Sequence, residues 1–112
     1  LLARACSGAL AVLTENPKIC DKVAEVKSWL EILQGLLLSE NKGLKHRGSF
    51  IVRNMMNANK PIAEKLVDSK IFEILLVLSQ DATLDASIKE AVMHSLDKAK
   101  AWELIKKAPK NE

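Results

Sequence analysis

Two stretches of this chain nearly repeat each other. Trp29-Leu30-Glu31-Ile32-Leu33 aligns with Ile71-Phe72-Glu73-Ile74-Leu75 at an offset of 42, and Leu1 through Arg4 aligns with Leu44 through Arg47 at 43. Ile19 pairs with Ile62 and Ala5-Cys6 with Gly48-Ser49. Toward the end the amphipathic register fits an offset of 44, with Leu44 on Ile88, Gly48 on Val92, Val52 on Leu96 and Met55 on Ala99. The loop QDATLDA absorbs the drift. A period of about 40–47 residues holding two or three helices is the mark of armadillo or HEAT solenoids, whose units bury their apolar faces only against neighbours.

Local signals place the helices. LLARACSGALAVL, residues 1–13, is apolar nearly all round, so a helix here is expected to be buried on most sides. Asn16-Pro17 supplies an N-cap and a first-turn proline for a short helix to about Val26. Ser28 is placed to cap a helix over 29–39, which Asn41, Lys42 and Gly43 break. The next helix runs from Leu44 to about Ala58. Asn59 and Pro61 then open a short helix to Asp68, and Ser69 caps FEILLVLS at 72–79. A last helix is expected from about Ser87 to Ile105 or Lys106, with Pro109 ending the ordered part. No run alternates like a strand. Each unit reads short, longer, longest, which is the armadillo order. The expected fold is therefore all-α, an armadillo-repeat α-solenoid fragment of seven helices and about two and a third repeats. Residues 1–15 form the last helix of a repeat, 16–58 a full repeat, 59–106 a terminal repeat and 107–112 a tail.

At about 100° per residue, Leu44, Gly48, Ile51, Val52, Met55 and Ala58 share one face of the fourth helix. Gly48, like Ala5 at the matching position, lets a neighbouring helix approach closely. His46, Ser49, Arg53 and Asn57 lie opposite, with Phe50 beside them. Third helices line the concave side of an armadillo stack, so these five residues are the candidate protein-binding surface. Met55 and Met56 read as packing, as do Trp29 with Ile32, Leu33 and Leu36, and Trp102 with Ala99 and Ser95.

Other chemistry finds little support. The net charge of +3 is too small to argue for nucleic acid, and no apolar run reaches the roughly 20 residues a bilayer needs. Cys6 and Cys20 follow no metal or redox spacing and are expected to be buried free thiols in a reducing, cytoplasmic setting. His46 has no nearby acid to orient it and His94 falls on the outer side of the last helix, so no catalytic site, metal site or cofactor is expected. KHRG lacks the glycines and the strand of a phosphate loop. As the first turn of a helix it could meet an anion, although a solvated turn is the simpler reading. Lys98, Lys100, Lys106, Lys107 and Lys110 suit a helix C-terminus and the polar outer face of a terminal repeat. Armadillo proteins that clamp extended peptides carry a Trp and an Asn one turn apart on successive third helices. Here those positions hold Ser7/Ala11, Phe50/Asn54 and His94/Lys98, so a regular peptide-backbone ladder is not expected.

The wording RACSGALAVLT (4–14), WLEILQGLLLS (29–39), LKHRG (44–48), IVRNM (51–55) and SLDKA (95–99) closely resembles the C-terminal end of the UCS-domain myosin chaperones of animals. The resemblance covers almost the whole chain. It implies armadillo repeats, no enzymatic activity, and a role in folding and assembling the myosin motor domain during muscle development. It also implies a heat-shock chaperone partner held by a tetratricopeptide domain outside this segment. Two other roles stay open: a structural cap with clients bound upstream, and an adaptor for another protein. The chain opens on Leu1-Leu2 without an initiator Met and reads as a piece of a longer protein. Cut free, helix 1–13 would expose an apolar patch that invites self-association.

Overall fold

The computed structural model describes residues 2–104, with side chains from Cys6 onward. Seven helices appear among these residues: α1 (Leu2–Leu13), α2 (Pro17–Val23), α3 (Trp29–Leu37), α4 (Lys42–Ala58), α5 (Lys60–Val67), α6 (Lys70–Ser79) and α7 (Ala86–Ala101). No strand occurs among the described residues. The lengths rise as 7, 9 and 17 residues in α2–α4 and as 8, 10 and 16 in α5–α7. No helix among the described residues is long and apolar enough to cross a membrane.

Side-chain caps set most of the starts. Asn16, Asn41, Asn59, Ser69 and Asp85 each accept a hydrogen bond from a backbone N–H of the first turn, at 3.0–3.2 Å. Ser28 sits at the start of α3, but its hydroxyl makes no capping bond. Several boundaries differ from the sequence expectation: α2 ends at Val23 and not near Val26, α3 ends at Leu37 and not at 39, and two more change where residues lie. Asn41 caps α4 instead of breaking the chain, so Lys42 and Gly43 are helical and KHRG lies in the second turn. The last helix stops at Ala101 and does not run to 105 or 106. Glu103 takes a left-handed φ of 62°, and Leu104 N–H returns to the Ala99 carbonyl at 3.0 Å. That closure satisfies the final carbonyls and turns Leu104 back onto the core. Lys106, Lys107, Pro109 and Lys110 lie outside the described residues, as do Leu1 and the Ala5 side chain.

The core is built around α4, which packs against α7, α3, α1, α5 and α2. Ile51, Val52, Met55 and Met56 are fully buried, and Cys20, Leu37, Leu66, Ile71, Leu75 and Val92 close around them. Polar bonds tie the long helices. Asn54 Nδ2 donates to the Ala11 carbonyl at 3.0 Å and to Thr14 Oγ1 at 3.1 Å, joining α4 to the end of α1. Trp102 Nε1 donates to the Met56 carbonyl at 2.8 Å, joining the end of α7 to α4. Trp102 is thereby half-buried, not fully in the core.

Two further expectations change. Ile32 is 50 % exposed, although Trp29 and Leu33 of the same helix are buried. Cys6 is exposed and only Cys20 is buried, where burial pushes its thiol pKa up and the neighbouring Asp21 charge adds to the rise. Along α1, Val12 and Leu13 also face out, so from Cys6 onward the helix is covered on one side only.

At Gly48, α4 packs directly against Leu36 and Leu37 of α3. A Cβ there would lie 2.7 Å from Leu36 Cβ and 3.3 Å from the backbone of Leu36 and Leu37. Gly35, on the open side of α3, would meet nothing within 4 Å. Gly48→Ala should therefore destabilise the chain by about 1–3 kcal/mol, because the helices must part. Gly35→Ala should stabilise it by about 0.5–1 kcal/mol through helix propensity. Urea titration of both variants checks the pair. Equal shifts of the same sign would mean that the contact at Gly48 does not set the helix spacing.

Candidate functional site

With α1 and α7 both packed on α4, the side of α4 between them carries the candidate surface. His46, Phe50, Arg53 and Asn57 recur every three or four residues, so a single helical face presents them. The His46 ring lies 4.5 Å from the Phe50 ring, tilted by 37°. The Arg53 guanidinium sits 4.4 Å above the Phe50 centroid. Phe50 thus holds one cationic group and one imidazole against its π-system. At the end of the stripe, Asn57 Nδ2 lies 3.0 Å from His94 Nε2 of α7. The imidazole tautomer decides whether the histidine accepts there or donates to Asn57 Oδ1 at 3.3 Å.

Ser49, expected in this stripe, is not on the surface. It is fully buried, and its hydroxyl donates to the His46 carbonyl at 2.7 Å. A helix with neighbours on several sides has a narrower polar arc than a two-faced reading assumes. A serine can enter the buried arc because its own helix satisfies its hydroxyl. Asn54 is also unavailable to a partner, since its amide is used on α1.

Arg47 also belongs to the surface, although the sequence offers it only within KHRG, as a first-turn contact for an anion, and outside the five-residue stripe. Its Nη1 donates to the Gly43 carbonyl at 3.2 Å. Its Nε lies where a Cβ on Gly8 of α1 would come within 3.1 Å. The available signal was the pairing of a small residue, Gly8, on α1 with a long cation on α4. Between α1, α4 and the start of α7 lies an open cleft of about 540 Å³, bounded by Ala11, Lys42, His46, Arg47, Phe50 and Asp85. Lys42 Nζ and Asp85 Oδ2 approach to 3.5 Å at its rim. No group of three His, Cys, Asp or Glu side chains among the described residues could hold a metal ion.

Two half-exposed aspartates near the rim have lowered pKa values. For Asp81 the chief cause is the Thr83 hydroxyl at 2.6 Å, then the Thr83 N–H. For Asp85 it is the Ser87 N–H at 3.0 Å, with the Lys42 charge contributing less. A carboxylate with a lowered native pKa contributes stability above its unfolded value and loses it as pH falls through the native value. The chain should therefore lose stability below about pH 4, the ordinary aspartate range. Asp85→Asn keeps an acceptor for the Ser87 N–H but cannot titrate. Thermal midpoints measured from pH 6 to pH 2 should fall less for this variant than for the parent. Parallel curves would show that Asp85 carries none of the acid sensitivity.

Comparison with known proteins places the chain among one set of relatives. It is 43 % identical over 100 residues to Protein unc-45 homolog B of Xenopus tropicalis, covering 88 % of this chain and 11 % of that protein. The homolog B of Danio rerio is 39 % identical over 109 residues, covering 94 % and 12 %. Among solved structures, UNC-45 from Drosophila melanogaster matches with a TM-score of 0.80 and 36 % identity, over 91 % of this chain and 13 % of that one. The chain thus spans about a tenth of the length of these relatives. No family model matches the chain.

Proposed function

Because this chain belongs to the UNC-45 family, we propose that it is a protein-binding segment of a myosin-directed chaperone. On this reading it assists folding and assembly of the motor domain by recognition, not catalysis. In the proposed layout, residues 16–58 and 59–106 are successive armadillo repeats, and α4 presents the contact surface. The observation that supports this best is the half-exposed stack of His46, Phe50 and Arg53 between α1 and α7. An aromatic ring held by a cation on a rigid helix, with half-buried neighbours, has the character of an interface anchor. Asn57 and His94 extend the surface with groups able to bond a client's main chain.

The test is suppression of heat-induced aggregation of a myosin motor domain by the longer parent protein. Arg53→Glu in that protein should weaken motor binding by about tenfold or more while leaving its thermal midpoint within error. Unchanged binding would remove α4 from the client contact.

A structural role at the end of the solenoid is favoured by a different observation, the Trp102 bond to the Met56 carbonyl that pins the end of α7 over α4. On that reading, truncation after residue 58 destabilises the parent, and charge changes on α4 leave client binding intact.

A further inference from the structure

The cleft beside Phe50 has an unbalanced charge inventory. Its one carboxylate, Asp85, is already opposed by Lys42 at 3.5 Å and caps α7. That is the only ion pair among the described residues. Arg47 bonds a backbone carbonyl, and Arg53 bonds the Asn54 amide oxygen at a long 3.4 Å while it covers Phe50. Neither guanidinium has a carboxylate partner among the described residues, and both are only half exposed. A guanidinium partly out of water and bonded only to neutral acceptors binds a carboxylate more strongly than a solvated one does. Arg47 lines the cleft together with the apolar Ala11, Phe50 and Ile88, and Arg53 lies next to it, against the Phe50 ring.

We infer that this cleft binds an extended acidic peptide segment, in which an apolar side chain rests on Phe50 and flanking carboxylates pair with Arg47 and Arg53. The inference rests on the reading of this face as a client surface, and it names the chemistry of the segment taken there. Charge complementarity selects carboxylates over lysine-rich or neutral segments. The stripe favours a chain over a single small acid. From His46 to Asn57 the helix rises about 16 Å, which matches roughly five residues of extended peptide. Gly8 contributes by leaving room for the Arg47 side chain along α1.

A fluorescein-labelled peptide with one leucine flanked on each side by two glutamates serves as the probe, read by anisotropy on the full chain. It should bind, and a version with glutamine in place of glutamate should bind at least about tenfold more weakly. Arg47→Gln and Arg53→Gln should each weaken the glutamate peptide severalfold, at unchanged helicity by circular dichroism. Arg47→Lys should recover only part of the loss, because it restores charge without the planar fork. Equal affinity for the two peptides, or wild-type affinity in both folded glutamine variants, overturns the inference. Motor protection by the parent is scored separately. Protection without any preference for the glutamate peptide overturns the acidic-segment inference and leaves the chaperone reading standing. Preference for that peptide without protection does the reverse.

Discussion

The burial of α4 on nearly all sides is the constraint from which the rest of the architecture follows. A helix of 17 residues that packs against five others needs contacts of different depth around its circumference. Large side chains fill the wide gaps, with Ile51, Val52, Met55 and Met56 all fully buried. The narrow gap, toward α3, is met by having no side chain at all at Gly48. Methionine suits the remaining positions because its flexible thioether fits gaps that branched residues leave. Once α4 is fixed in this way, α1 and α7 lie along its sides, and the clefts between them follow.

Polar groups inside such a packing must be satisfied, and here they serve as ties between repeats. The Asn54 amide bonds the Ala11 carbonyl in the last turn of α1, while the Leu10, Val12 and Leu13 carbonyls accept from the Thr14, Glu15 and Asn16 N–H groups. Thr14 is held there by its own bond to the Leu10 carbonyl at 2.6 Å, and the Cys20 thiol bonds the Thr14 carbonyl at 3.1 Å. One buried cluster therefore links α1, α2 and α4. The same cluster removes Asn54 from the surface, so the half-match to a peptide-clamping pair has a structural use instead.

The repeat period made the order of the helices legible, since Asn-Pro and Ser signals coincide with apolar periodicity at α2, α5 and α6. Boundaries failed where one residue had two possible roles. Asn41 looked like a terminator of α3 and is the cap of α4. Trp102 looked like mid-helix core and instead follows the last residue of α7, where its indole reaches Met56. The end of α7 depends on Glu103 in a left-handed conformation, which composition does not signal for a glutamate. At the candidate site, His46, Phe50, Arg53 and Asn57 were readable from spacing. The burial of Ser49 was not, because it depends on how many helices surround α4. Arg47 was legible only as part of KHRG, because its place beside the stripe depends on a glycine in a different helix.

Comparing equivalent positions of the two long helices separates what keeps the fold from what shapes recognition. Gly48 and Val92, Val52 and Leu96, and Met55 and Ala99 are all buried, so the interior keeps its register across the repeat. The outward positions do not keep their chemistry. His46 corresponds to Glu90, Phe50 to His94 and Arg53 to Asp97, so a basic-aromatic stripe on α4 gives way to acidic and imidazole groups on α7. Packing penalises changes in the first set by kilocalories, whereas exposed positions tolerate them at little cost. A solenoid can therefore vary its surface from one unit to the next while each unit still stacks on its neighbour. The cleft at Phe50 takes its character from this freedom: its walls come from the conserved geometry of stacking, and its charge comes from residues that stacking does not constrain.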